Sequence, residues 1–141
     1  MVRRLSAVVV SICLLFSVAG VALNLSYLGS FDPPHDDWTF NGIIVGGISG
    51  LTLANDGSFY AVCDDKGSNV NPPGVLYKLN IDLDTSGLHS VDVVSVVQLK
   101  TPYGNPYAAG SIDPEDVLWA PTGFIVCSER DQDNNPWIRQ F

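Results

Sequence analysis

The stretch DPEDVLWAPTGFIVCSERD, residues 113–131, decides the fold, because it has the pattern of a β-hairpin. Two runs rich in Val, Leu, Ile and Phe flank a Pro-Thr-Gly turn, where glycine supplies a positive φ without steric cost. A hairpin reverses the chain, so its entrance and its exit lie at the same end. Acidic residues occupy both ends of the stretch, and we therefore expect them in one patch. The residues at the two ends are Asp113, Glu115 and Asp116 at the entrance and Glu129, Arg130 and Asp131 at the exit.

A second copy of this pattern, SGLTLANDGSFYAVCDDKG, begins at Ser49, about 66 residues earlier. It predicts a hairpin in which the segment 47–49 meets Asp64, Asp65 and Lys66. Two hairpins repeated at this spacing favour successive blades of a β-propeller, in which the two acidic ends share a face. The aligned pairs are Leu51 with Val117, Leu53 with Trp119, Gly57 with Gly123, Phe59 with Phe124 and Asp64 with Glu129.

The rest of the chain after residue 23 has no sustained apolar period of 3.6 residues. It consists of short β-prone runs separated by Gly, Pro, Asn and Asp, and the segment 84–90 predicts a third hairpin connection. We therefore predict an all-β class, built from antiparallel hairpins as a partial β-propeller-like array. The predicted strands are Ile43–Val45, Gly50–Ala54, Phe59–Cys63, Val75–Ile81, Val91–Leu99, Val117–Ala120, Phe124–Ser128 and Trp137–Phe141.

Charge composition limits the partners of this chain. Its 141 residues contain 7 basic and 15 acidic side chains, for a formal net charge of −8. Nucleic-acid binding needs clustered Lys and Arg, so this balance argues against it. We expect an acidic protein that meets cations or small solutes.

The N-terminal segment has the pattern of a secretory signal peptide over residues 1–22. A basic start, MVRR, precedes an apolar run that ends in small residues. The alternative is an uncleaved membrane anchor, because the apolar run approaches the spanning length, and only then do we expect membrane association. Export would make Asn24, in the triplet Asn-Leu-Ser, a candidate glycosylation site.

Export also determines how the cysteines are interpreted. Cys13 lies within the signal, so Cys63 and Cys127 remain in the mature chain. An oxidising compartment permits a disulfide between them, whereas their places in β-prone runs equally suit buried free thiols. Both alternatives stay open at this point.

Five motifs in order resemble the phytase-like family, also described as having the esterase-like activity of phytase. They are GGISGLTL (46–53), GSFYAVCDDKG (57–67), LYKLNIDL (76–83), DPEDVLW (113–119) and GFIVCSERD (123–131). Asp116 stands where the acidic motif of the family usually has glycine. The resemblance implies a secreted β-propeller and the hydrolysis of phosphate or carboxyl esters, so a small-molecule ester is the expected substrate.

Chain length bears on this propeller interpretation. We assign residues 23–45 to a lead-in and residues 46–141 to a partial phytase-like domain. The 119 residues after the signal suffice for about two or three blades, whereas propellers have four or more. We therefore expect the chain to be the N-terminal part of a larger protein, truncated at its C-terminus.

The acidic ends of the two hairpins are the candidate functional site. Close carboxylates repel one another unless a cation or a proton intervenes, and Ca²⁺ takes six to eight oxygen ligands. Basic side chains at the same ends would neutralise the oxygens of a substrate phosphate. The alternative is that these groups cap turns, form rim ion pairs or are merely solvated. The candidate cation ligands are Asp64, Asp65, Asp113, Glu115 and Glu129, and the candidate phosphate-binding residues are Lys66 and Arg130.

The sequence gives weaker support for zinc binding, for a serine nucleophile and for a sugar-binding platform. His35 and His89 are expected in polar surface loops, without a zinc-spaced partner. GGISG around Ser49 lacks the pattern of a nucleophile elbow. Trp38, Trp119 and Trp137 are expected to pack in the core, with a sugar platform as the alternative.

Two function classes follow. The first is a secreted ester hydrolase, assisted by Ca²⁺. The second is a non-catalytic extracellular propeller that binds a partner or holds a structural cation. A third interpretation is that this chain by itself is an inert, poorly folded fragment.

Overall fold

The computed structural model describes residues 25–34, 37–68 and 71–141, and this part of the chain contains strands but no helix. The strands form three antiparallel sheets of two, four and three strands. The predicted all-β class with antiparallel hairpins is therefore confirmed. The sheets remain separate and no closed barrel is formed, so the propeller stays a prediction. The nine strands are β1 Thr39–Phe40, β2 Ile43–Ile44, β3 Ile48–Leu53, β4 Phe59–Cys63, β5 Val75–Asp84, β6 Gly87–Gln98, β7 Ile112–Ala120, β8 Gly123–Asp131 and β9 Trp137–Gln140.

Each sheet follows the order of the chain. The four-stranded sheet runs β3-β4-β5-β6 and the three-stranded sheet runs β7-β8-β9, both as simple meanders. Gly57 lies in the turn between β3 and β4, and Gly123 directly follows the turn between β7 and β8 as the first residue of β8; their φ values are 80° and 136°. These are the two turns that the sequence predicts, and glycine reaches both φ values without a Cβ clash.

Several strands extend beyond their predicted ends. The β5–β6 ladder continues to the pair Asp84–Gly87, so the third hairpin has a two-residue turn rather than a loop over 84–90. His89 therefore lies in β6 rather than in a loop, while its side chain is exposed as predicted. Strand β7 likewise begins at Ile112 rather than Val117. The ends of these strands contain polar residues, so the apolar pattern used to predict strands does not reach them. Their backbones nevertheless pair across the ladder.

The two repeated hairpins lie side by side. Gly50 of β3 approaches Asp116 of β7 so closely that a Cβ built on Gly50 would lie 2.5 Å from the Asp116 Cα. The Ser49 hydroxyl donates to the carbonyl of Pro114 at 2.9 Å, and the backbone N–H of Trp119 donates to Thr52 Oγ1 at 3.0 Å. Residues about 66 apart in sequence are thus neighbours in space. The small residues of GGISG serve this contact, with the Ser49 hydroxyl bonded to a backbone carbonyl.

The apolar core has two parts, one on each face of the four-stranded sheet. One face packs against the β7-β8-β9 sheet through buried residues that include Val62, Leu76, Ile112, Val117 and Val126. The opposite face contains Ala61, Cys63, Tyr77 and Leu79, and Trp38 and Phe40 at the start of the β1–β2 hairpin pack against it. Both faces of the central strands β4 and β5 are therefore buried.

The tryptophans pack against other aromatic rings. Trp119 contacts Tyr60 and Phe124, with centroid distances of 6.5 and 5.1 Å. Trp137 stacks on Tyr107 at 6.2 Å, and Trp38 meets Phe31 edge to face at 5.2 Å. These contacts agree with the predicted packing role.

The two cysteines described, Cys63 and Cys127, are free. They lie in different sheets, Cys63 buried in β4 and Cys127 half-buried in β8. Of the two alternatives, the disulfide is therefore wrong. Burial raises the pKa of the Cys63 thiol, which keeps it protonated.

Three sequence predictions fall outside the described residues. They are the signal peptide over 1–22, the glycosylation site at Asn24 and the surface position of His35. Within the described ranges, no helix is long and apolar enough to cross a membrane.

Candidate functional site

Hairpin β7–β8 brings Asp113 inward at its acidic end. The register of the two strands shifts on both sides of Pro114, which pairs with Ser128. Such irregularities in a ladder re-aim side chains, and here Asp113 is only 3% exposed. The backbone N–H of Asp113 donates to Ser128 Oγ at 3.0 Å, and that hydroxyl donates to the Arg130 carbonyl at 2.8 Å. Ser128 thus fixes the entrance of the hairpin to its exit.

Asp113 forms ion pairs with a cation from each hairpin. Its Oδ2 atom lies 3.0 Å from Lys66 Nζ, which follows β4, and 2.8 Å from Arg130 Nε of β8. Both contacts are at ion-pair distance, and the two cations together neutralise the buried carboxylate by charge.

Two further carboxylates lie beside Asp113. Ligand oxygens of Asp113, Glu115 and Glu129 all lie within 4.8 Å of one another. Slight desolvation raises the pKa of the exposed Glu115 side chain, and the charges of Asp113, Glu129 and Asp64 raise it further. Arg130 hydrogen-bonds Glu129, which raises the pKa of the guanidinium and keeps it charged. Glu115 is thus a carboxylate destabilised by its acidic neighbours.

The structure brings together only part of the predicted site. Within the described chain, the group of three carboxylates excludes Asp64 and Asp65. Asp65 accepts from the Gly67 N–H at 2.9 Å and from Asn71 Nδ2 at 3.0 Å, so it closes the loop after β4. Asp64 is exposed, and its backbone N–H donates to the Gly47 carbonyl.

Ser128 is a site residue that the sequence interpretation did not single out. One signal could have found it, because the repeat aligns Ser128 with Cys63. The Cys63 thiol donates to the Gly46 carbonyl at 3.0 Å and accepts from the Asp65 N–H at 3.3 Å. Both side chains therefore link the entrance and exit of their own hairpin.

The donor set at Asp113, Glu115 and Glu129 fits a hard cation. Carboxylate oxygens are the ligands that Ca²⁺ takes, and three carboxylates offer oxygens within 4.8 Å of one another here. Lys66 and Arg130 offset part of the negative charge, so a cation would share the cluster with them. The residues present therefore fit Ca²⁺, with Glu115 and Glu129 as the exposed side of the site.

A Ser-His-Asp set occurs at the tip of hairpin β5–β6, but its geometry is not that of a triad. His89 Nε2 lies 3.0 Å from Asp84 Oδ1, and the Ser86 hydroxyl donates to the same oxygen at 2.6 Å. A triad needs the serine and the acid on opposite ring nitrogens. These contacts lower the pKa of Asp84 to about 2, and we interpret them as a turn-stabilising network.

Comparison with known proteins supports the interpretation of the motifs. Neither the curated proteins nor the solved structures contain a match to this chain. The model of a protein family, phytase-like, described as "esterase-like activity of phytase", matches residues 43–141. This match covers well over half of the chain, including both repeated hairpins and all residues of the acidic cluster. The chain therefore belongs to the phytase-like family.

Proposed function

We propose that this domain hydrolyses esters, phosphate esters in the first place, at the acidic end of hairpin β7–β8. One observation carries the proposal: buried Asp113 holds Lys66 and Arg130 beside two exposed carboxylates, Glu115 and Glu129. A phosphate ester needs cations for its oxygens and a base for the attacking water, and this cluster contains both kinds of group.

Lys66 and Arg130 would bind the substrate. Their side chains are 50% and 39% exposed while Asp113 beneath them is buried, so they are anchored at one end and open to solvent. Arginine and lysine neutralise phosphate oxygens, arginine with two parallel hydrogen bonds. Asp113 acts here as a positioning residue for both cations.

Glu115 would transfer the proton of the attacking water. A raised pKa suits a carboxylate for taking a proton from water and returning it to a leaving group. Water oxygen bonds to phosphorus as the bond between phosphorus and the ester oxygen breaks. Glu115 takes one proton from the water and then gives it to the departing alkoxide, so that alcohol and phosphate are released.

A Ca²⁺ ion would be held by Asp113 and Glu129, which leaves Glu115 as the base, because a carboxylate bound to the ion would lose its raised pKa. When bound, the ion would neutralise substrate charge and lower the pKa of a coordinated water. The protein residues keep their roles in binding and orientation, because both cations remain anchored on Asp113.

The test is an assay of the purified chain with p-nitrophenyl phosphate and p-nitrophenyl acetate, in Ca²⁺ and in EGTA. We expect turnover of the phosphate ester that EGTA reduces, and a loss of roughly 100-fold in kcat for Glu115→Gln. Lys66→Gln should mainly raise KM. Asp56→Asn is the matched control, since this acid pairs with Lys78 at the β3–β4 turn and should leave kcat unchanged.

Turnover of neither ester by the folded protein would contradict the hydrolase and favour a second function. That function is a non-catalytic extracellular binding module with a structural cation. The buried ion pairs of Asp113, which connect the two hairpins, support it. It predicts that Ca²⁺ raises the unfolding temperature without turnover, and that Asp113→Asn abolishes the shift.

The remaining parts of the proposal concern context. We propose secretion through the N-terminal signal, a small-molecule ester as the substrate, and a propeller as the complete architecture. The side-by-side contact of the two hairpins supports the last of these, because successive blades of a propeller are neighbours in space.

A further inference from the structure

A groove of about 610 Å³ lies between the outer strands of the two larger sheets, away from the acidic cluster. Its apolar wall is formed by Val97, Leu99, Pro102 and Phe141, from the end of β6 and from the residue after β9. The volume is in the range of small-ligand sites, which bury an apolar body and fix it with a few polar groups.

The charges of this groove differ from those of the rest of the molecule. Five lysines and arginines lie in the described ranges, and three of them pair with carboxylates: Lys66, Lys78 and Arg130. The other two, Lys100 and Arg139, have no carboxylate within 4.0 Å in the described part, and both line the groove. In a chain with a net charge of −8, both cations that lack an ion pair among the described residues thus lie at one apolar cavity.

Arg139 is held in place without being neutralised. Its Nη1 donates to Tyr107 Oη at 2.8 Å, and its guanidinium lies 4.3 Å from the centroid of the Trp137 ring. These contacts fix the side chain while its charge stays available. Backbone hydrogen bonds mainly lower the pKa of Asp131, and Arg139 contributes to a smaller extent from beyond ion-pair distance.

We propose that this groove binds a small amphipathic anion, with its apolar chain against Val97 and Leu99 and its carboxylate or phosphate head between Lys100 and Arg139. This site is separate from the proposed ester hydrolase. Charge complementarity specifies the head group and the apolar wall specifies the tail. A neutral alcohol lacks the first feature and a short anion lacks the second.

The experiment is calorimetric titration of the purified chain with decanoate, decyl phosphate, decanol and acetate, each below its aggregation limit. We expect binding of both long-chain anions and none of decanol or acetate. Lys100→Gln and Arg139→Gln should each weaken decanoate binding roughly tenfold, the loss of one charge-assisted contact. Fluorescence of Trp137 should respond to decanoate, because Arg139 lies over its ring.

Controls separate the proposal from general effects. Lys78→Gln removes a cation that pairs with Asp56 outside the groove, and it should leave decanoate binding unchanged. Arg139→Lys keeps the charge and should recover most of the affinity if Arg139→Gln is merely unstable. Decanol binding as tightly as decanoate, or equal losses in Lys100→Gln and Lys78→Gln, would overturn the proposal.

Discussion

The two hairpins β3–β4 and β7–β8 share one sequence pattern but differ in what surrounds them. Leu51 and Val117 are aligned in the repeat, yet Leu51 is 50% exposed while Val117 is 3% exposed. Val117 packs against the four-stranded sheet, whereas Leu51 lines a shallow apolar groove together with Leu28 and Gly29. Aligned positions of the repeat therefore differ in burial, because Val117 faces the other sheet whereas Leu51 faces the opposite side of its own sheet, and packing decides how much each position stabilises the molecule.

Their acidic ends differ in a related way. Where the second hairpin has Asp113, Glu115 and Asp116, the first has Gly47, Ser49 and Gly50. These small residues let β3 approach β7, and the acids of β7 carry the charge of the cluster. The first hairpin thus contributes the small residues that allow close packing, and the second contributes the carboxylates of the cluster.

The largest expected effect tests this close approach. A Cβ at Gly50 would lie 2.5 Å from Asp116 Cα and 2.8 Å from the Val117 N, so backbone atoms must move. We expect Gly50→Ala to lower the free energy of unfolding by about 3 kcal/mol. This loss exceeds the gain that alanine brings, because alanine loses less backbone entropy on folding than glycine does. Denaturant unfolding followed by circular dichroism measures this change.

Gly46→Ala is the matched control for that substitution. Its Cβ would meet nothing within 4 Å, and Gly46 has no positive φ. The change should stay within about 0.5 kcal/mol. Equal effects at both glycines would contradict the packing of β3 against β7.

The second prediction compares the aligned apolar pair directly. Val117→Ala removes two buried methyl groups and should cost about 2 kcal/mol of unfolding free energy. Leu51→Ala removes more atoms but from a half-exposed site, so we expect a cost below about 1 kcal/mol. Both variants can be measured in one denaturant series. A larger cost at Leu51 would mean that its surface is covered in solution.

The turns and the repeat could be predicted from sequence because local chemistry determines them. Gly57 and Gly123 mark both hairpins, and chain reversal alone brings Asp113 towards Glu129. The antiparallel meanders follow from the same short runs. These features depend on residues close in sequence, where a pattern carries most of the information.

The burial of Asp113 and the loop role of Asp65 could not be predicted, because both depend on contacts between distant segments. The bulge at Pro114 turns Asp113 inward, and Lys66 reaches it from the other hairpin. Asp65 accepts a hydrogen bond from the side-chain amide of Asn71. The oxygen of the same amide accepts from the backbone N–H of Ile44. Spacing along the chain does not identify such partners.

The smallest expected effect concerns the charge balance of the cluster. Slight desolvation and the neighbouring acids raise the pKa of the exposed Glu115, so its ionised form is disfavoured in the folded state. The stability associated with this group is present below its unfolded pKa, near 4.5, and is lost as pH rises through the folded pKa. In EGTA, Glu115→Gln should therefore raise the free energy of unfolding at pH 7 by a few tenths of a kcal/mol, and should have no effect below about pH 4.

Glu129→Gln is the control in this measurement, because Glu129 hydrogen-bonds Arg130 and its loss should not stabilise the protein. Repeating the unfolding series in Ca²⁺ tests whether the stability change of Glu115→Gln depends on a bound cation. If Glu115 is a ligand, the ion offsets the repulsion, and Glu115→Gln becomes destabilising at pH 7. A gain that is the same in Ca²⁺ and in EGTA would instead mean that Glu115 binds no cation. Glu115 would then remain free to act as the base, beside the two cations that Asp113 anchors.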